Sequence, residues 1–142
     1  MNFDEDVVDQ LDSLVASLTK GQNLFAGAVR GYQNNGGIPH KCVFVTGTGG
    51  APTRPIKVGA AGVIVQERHT SVDVRIRSDA PGVPGAFQDG QTLARQVFDA
   101  LQYNPASGYC EFKSPSSGPN YLGEDEDSHH EWSFSVELIY DV

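Results

Sequence analysis

Apolar residues recur at three- and four-residue spacing near the start of the chain. Val7, Val8, Leu11, Leu14, Val15 and Leu18 predict an amphipathic helix over residues 4–20, with Asp4 as its cap and Gly21 as its stop. The cluster Asp4-Glu5-Asp6 suits the positive end of that helix dipole. From Asn23 onward the pattern turns β-like, with strands expected at 24–30, 42–46, 62–67 and 72–77 between Gly-, Asn- and Pro-rich turns. In the last of these, Val72, Val74 and Ile76 share one side while Asp73, Arg75 and Arg77 share the other, the mark of a half-buried strand. Leu93, Ala94, Val97, Phe98 and Leu101 form a second helical stripe, predicting a helix over 89–102. A short strand follows at 109–113, then a long polar loop at 114–130. The chain closes on an alternating strand at 132–140, with Trp132, Phe134, Val136, Leu138 and Tyr140 inward.

Two helices and five or six strands predict an α+β fold, a single domain over 1–142. Both helices should pack on one face of a largely antiparallel or mixed sheet, leaving a polar face for water or a partner. With 142 residues the chain can bury about two-thirds of its unfolded surface, so a real core is expected.

Charge sharpens this picture. Net charge is −8, yet residues 1–12 hold five acids and residues 114–142 hold seven, with no Lys or Arg in either segment. The middle, 13–113, holds ten basic and six acidic residues. Negative ends and a positive middle can fold against each other, or they can set the register between copies arranged in a ring. The acidic start and the lack of any apolar run of about 18 residues lead to the expectation of a soluble protein made in the cytoplasm. Cys42 and Cys110 sit far apart in apolar stretches without metal-ligand spacing, and are expected as buried free thiols.

Candidate chemistry is sparse. Val43-Phe44-Val45-Thr46-Gly47-Thr48-Gly49-Gly50-Ala51-Pro52 resembles a strand leading into a phosphate loop, but Pro52 stands where both the dinucleotide and the phosphate-loop patterns need glycine. Pro52 and Pro55 also disfavour the helix whose N-terminus would hold the phosphate. His129-His130-Glu131 has no third metal ligand at a telling spacing, and the 124–127 acids lack the alternation of a calcium loop. There is no Gly-x-Ser-x-Gly elbow and no cysteine in a recognisable catalytic setting, so no catalytic, cofactor or metal residues are assigned and an enzyme is not expected. Arg75 and Arg77 read as partners for carboxylates rather than for phosphate, because no aromatic residues interleave them.

Three stretches carry a resemblance: V-D-V-R-I-R-S at 72–78 ahead of L-A-R-Q-V-F-D-A-L at 93–101, S-S-G-P-N-Y-L-G-E-D-E-D at 116–127, and the closing W-S-F-S-V-E-L. Together they resemble the tail terminator (minor capsid, tail completion) proteins of long-tailed bacteriophages, over most of the chain. Only the G-P-x-Y-L-G-x-D segment before a final strand is moderately distinctive. The resemblance implies a non-enzymatic virion protein, assembled in a bacterial host cytoplasm. Its homohexameric ring would cap the tail tube protein, end tail polymerisation and join the head connector or stopper. It implies a lumen through which DNA passes without specific binding, with Glu124, Asp125, Glu126 and Asp127 lining the lumen or an axial face, because acids repel the duplex. Asp73, Arg75 and Arg77 become candidates for contact between subunits. Two alternatives remain: a head-completion or connector protein of the neck, and a small ligand-binding α+β domain using the Gly47–Gly50 turn. The glycine-rich loops 34–37 and 47–55 map onto no family contact and are candidates for ordering on docking.

Overall fold

A computed structural model describes residues 2–27, 41–49, 54–58 and 63–141, with side chains for all of these except 54–58 and 63–66. The expected strand residues 28–30 and Gly62, the 34–37 loop and residues 50–53 lie outside the described residues. The elements are α1 (Phe3–Leu14), β1 (Leu24–Ala26), β2 (Cys42–Gly49), β3 (Arg54–Val58), β4 (Val63–Arg77), α2 (Ala86–Leu101), β5 (Glu111–Lys113), β6 (Asn120–Glu124) and β7 (His130–Asp141). They form an α+β domain around one seven-stranded mixed sheet, ordered β1-β2-β4-β7-β5, with β3 on β4 and β6 on β7. Among the described strands the β1–β2 pair is parallel and the others are antiparallel. Among the described residues no helix is long and apolar enough to cross a membrane.

Both helices cover one face of the sheet, as their stripes require. Val7, Val8 and Leu11 of α1 and Leu93, Ala94, Val97, Phe98 and Leu101 of α2 join Val43, Val45, Val72, Val74, Ile76, Phe134, Val136 and Leu138 in one buried cluster. Phe112 seals the β5 edge, fully buried. Removing a ring so placed costs about 3–5 kcal/mol.

Helix α1 ends at Leu14, short of the expected 20, and is capped by Asn2 rather than Asp4: the Asn2 side chain accepts from the Glu5 N–H. Val15 and Leu18 stay buried, but residues 15–20 turn back because Asn23 offers the backbone other partners. Its side chain accepts from Thr19 N–H and donates to the Ser17 carbonyl. That side-chain competition ends the helix despite its continuing apolar period. Lys20 then folds onto the helix, 2.5 Å from Glu5 and 2.8 Å from Asp9.

The two expected strands at 62–67 and 72–77 are one, β4, fifteen residues long. Arg68-His69-Thr70-Ser71 looks like a polar break, yet β7 pairs with this strand continuously from Glu67↔Asp141 to Arg77↔Glu131. The imidazole of His69, only 7% exposed, is held between Glu137 of β7 and Glu67 of its own strand, at 2.5 Å from the latter. The outer-face imidazole is therefore satisfied in place, and the strand runs on rather than bending into a turn.

Strands β3 and β6 were not expected. β3 contains Pro55, which lacks a donor, and sits at an edge where β4 is its sole described neighbour. β6 lies inside the stretch read as a long loop. Its pairing with β7 shifts register between Tyr121 and Gly123, where Gly123 adopts φ +99°.

Candidate functional site

The phosphate-loop resemblance resolves first. Gly47 and Gly49 are strand residues of β2, whose pairing with β4 shifts register between them. Helix α1 lays Asp4 across this point: a Cβ on Gly47 would stand 2.9 Å from the Asp4 carboxylate. Glycine here lets a helix approach a strand, and the group it admits is an anion. A phosphate would meet repulsion.

The cysteines divide. Cys42 is buried as expected and burial pushes its thiol up to about 11. Cys110 is exposed instead, because it lies in the turn before β5; partial desolvation and a hydrogen bond with Asp141 raise its pKa.

The sequence-predicted site residues gather at one end of the sheet, where β4 finishes, β7 begins and α2 starts. Ser78 ties these together: its N–H donates to the His130 carbonyl and its hydroxyl accepts from the His130 N–H, both at 2.8 Å. Arg77 was expected at a contact between subunits, on the assumption that its face of β4 was open. It is 6% exposed and committed within its own chain. Its Nε lies 3.6 Å from Asp125, and its Nη2 lies 3.1 and 3.2 Å from the ring nitrogens of His129. Arg75 remains partly open, 3.6 Å from Asp73 and over the Phe44 ring at 5.9 Å. Burial raises the Asp73 pKa, against the pull of Arg75. Burial likewise raises Glu131, while Arg75 and Arg77 oppose it.

The acidic segment 124–127 is not uniform. Asp125 turns inward, its Oδ1 accepting from the N–H groups of Asp127 and His129 at 2.8 and 2.9 Å. This closes the turn into β7, with Ser128 at φ +63°. Glu124, Glu126 and Asp127 stay exposed. Asp125, Asp127 and His129 bring ligand atoms within 4.8 Å of one another, a donor set that can take a divalent cation. The Arg77 guanidinium already supplies positive charge to Asp125 and His129, and any cation would have to enter beside it. The geometry is that of a turn latched by arginine.

Next to this latch lies a feature the sequence pattern did not single out. Phe87 of α2 packs edge-on to Tyr121 of β6 at 5.5 Å and to His130 at 5.0 Å, and is tilted against Trp132 at 5.4 Å. The Tyr121 hydroxyl is hydrogen-bonded to His130 Nδ1 at 2.7 Å. The cluster is only half covered. Its members Phe87 and Tyr121 are 39% and 48% exposed; with Val83 and Leu122, at 41% and 49%, they make four of the six large apolar residues exposed among the described residues. Burying such a side chain fully is worth roughly 1.5–3 kcal/mol, so covering this surface is a substantial driving force. A cleft of about 580 Å³ opens beside it, lined by Val83, Phe87 and His130 and by the acids Asp79 and Glu124. A second cleft of about 450 Å³ lies on the far side of Tyr121 and Trp132, edged by Arg95 and Asp99.

Tyr121 and Leu122 were legible only as part of the G-P-N-Y-L-G-E-D segment. Phe87 was missed because the helix was expected to begin at Asp89. It begins at Ala86, after Gly85 in the left-handed region at φ +77°, and that earlier start carries Phe87 onto the cluster. An aromatic flanked by turn residues was the available signal. No family model matches this chain, and no curated protein is similar to it in sequence.

Proposed function

We propose that this chain is a ring-forming tail terminator of a long-tailed bacteriophage. Copies assemble, as a hexamer on the family pattern, into a cap on the tail tube that ends polymerisation and offers its other face to the head connector. One observation carries the reading: the most distinctive segment of the resemblance, 118–125, contains β6 and leaves Tyr121 and Leu122 about half exposed beside Glu124 instead of burying them. A segment that spends apolar residues on the surface next to charge suits recognition better than core packing. The exposed Glu126 and Asp127 suit a surface past which DNA moves without being held. Arg75, with Asp73, keeps its place as a contact to a neighbour; Arg77 does not, since it is needed inside the subunit.

The test is to mix purified protein with tail tube protein during tube polymerisation and to image the products by electron microscopy. The reading expects tubes of limited length with a ring at one end. Tubes that grow on, uncapped, with the protein free in solution sink it. Binding to connector protein while tubes remain uncapped moves the chain to the neck.

A further inference from the structure

Most carboxylates on the strands and on α1 that stand near a cation are paired with it. Glu5 and Asp9 share Lys20, Glu67 and Glu137 hold His69, Asp73 faces Arg75, and Asp125 faces Arg77. The cleft of about 580 Å³ between the start of α2 and the end of β6 is different. Asp79 and Glu124 both line it, and among the described residues neither carboxylate makes an ion pair or a hydrogen bond. No Lys or Arg lines it either. The segments that form it, 79–89 and 124–131, contain seven acids and no Lys or Arg. The fold leaves this charge for something outside the chain.

The walls between the acids are apolar. Val83 and Phe87 line the cleft while about 40% exposed. His130 adds a polar edge: its Nδ1 is turned to the Tyr121 hydroxyl, which lies outside the cleft, so Nε2 is the ring nitrogen left to a guest. These acceptors do not converge on a point. Among the described residues only Asp125, Asp127 and His129 bring three ligand atoms within 4.8 Å of one another, so Asp79, Glu124 and His130 stand too far apart to hold one metal ion. A planar guanidinium suits such spacing. It carries five N–H donors on a flat, weakly hydrated frame that lies readily against an aromatic ring, whereas an ammonium is a compact, strongly hydrated point charge. The start of α2 also opens here without a side-chain cap, but Asp89 in its first turn already answers the helix dipole.

We propose that this cleft receives an arginine side chain of a partner protein, its guanidinium between Asp79 and Glu124 and its stem along Val83 and Phe87. Charge complementarity chooses the residue, and the half-covered apolar surface favours a peptide over a free guanidine. Tyr121 and Leu122, exposed just beyond the cleft, give the residues flanking that arginine something to cover. A free small molecule would leave them in water. Duplex DNA is repelled by the same acids. The site goes beyond the tail reading and does not depend on it.

The experiment titrates isotopically labelled full chain with acetyl-Leu-Arg-Leu-amide and follows it by NMR. Two control peptides replace arginine by lysine or by citrulline, which keeps the shape and loses the charge. The arginine peptide should give saturable shifts at the amides of Gly82, Gly85, Gln88, Ser128 and His130. It should also move the His130 ring toward the tautomer with its proton on Nδ1, because Nε2 then accepts from the guest. The lysine peptide should bind more weakly and the citrulline peptide should not bind. Asp79→Asn and Glu124→Gln should each weaken the arginine peptide about tenfold, with the rest of the spectrum unchanged. The proposal is overturned by the absence of saturable shifts at the peptide's solubility limit, by shifts confined to other acidic surfaces, by lysine or citrulline matching arginine, or by variants that bind as wild type does. Absence of binding in a protein that still caps tubes removes this site and leaves the tail reading intact. Binding in a protein that never caps tubes does the reverse.

Discussion

Arg77 holds a full charge at 6% exposure, and its value to the fold depends on two partners presented by one turn. Removing it leaves Asp125, with only 16% of its side chain exposed, beside a buried imidazole and no cation. Arg77→Gln should therefore lose about 3 kcal/mol in urea unfolding. Arg77→Lys should recover only part of this, because a single ammonium cannot reach Asp125 and His129 in the same fork. A loss below about 0.5 kcal/mol would show that water replaces the guanidinium without cost. His69 gives a pH-dependent counterpart. The hydrogen bond to Glu137, above all, and then that to Glu67 raise its pKa over the ordinary 6.5. The charged imidazole thus favours the folded state. Its contribution is complete below pH 6.5 and fades as pH climbs through the raised folded value. The stability gap between wild type and His69→Gln should be widest in mild acid and close in alkali. A gap that instead grows with pH would mean the ring is held neutral.

Element by element, the same apolar spacing that makes the helices visible in the sequence leaves their contacts hidden. Gly90 is such a contact. It is buried in the middle of α2, where alanine is ordinarily better by about 1 kcal/mol. A Cβ there would stand 2.6 and 2.8 Å from the Trp132 ring and 3.0 Å from Ser78 Cβ, all inside a packed core. Gly90→Ala should lower the thermal midpoint, at a cost of about 1–3 kcal/mol, and disturb Trp132 fluorescence. A stabilised variant would show that α2 can lift without loss. The helices and the alternation of 132–140 were legible because one face of each is buried in a single repeating period. The end of α1, the continuity of β4 and the existence of β6 were not. The first depends on Asn23 reaching back to Ser17 and Thr19, the second on a glutamate from another strand, and the third on β7 offering an edge to a Gly- and Tyr-containing segment. Of the candidate site, the acids were legible as charge, but the inward turn of Asp125 and the burial of Arg77 depend on pairing across the sheet.

For the whole molecule, the half-exposed aromatic cluster should be separable from the fold. Val83→Asp and Leu122→Asp remove apolar surface that the isolated chain leaves about half in water, so stability should fall by no more than about 1.5 kcal/mol for either. Assembly, read by light scattering, should nonetheless fail. Loss of stability in step with loss of assembly would mean the residues are part of the core after all. The eleven register pairs between β4 and β7 have one more consequence. When the subunit is pulled from its two ends, tension runs lengthwise along those strands and loads their hydrogen bonds together, in shear. Bonds pulled in parallel yield only when many break at once, whereas a strand peeled from its edge gives way one bond at a time. A single molecule held at Lys57 and Leu122 should then rupture at much higher force than one held at Lys57 and Asp141, where β7 can be unzipped from its end.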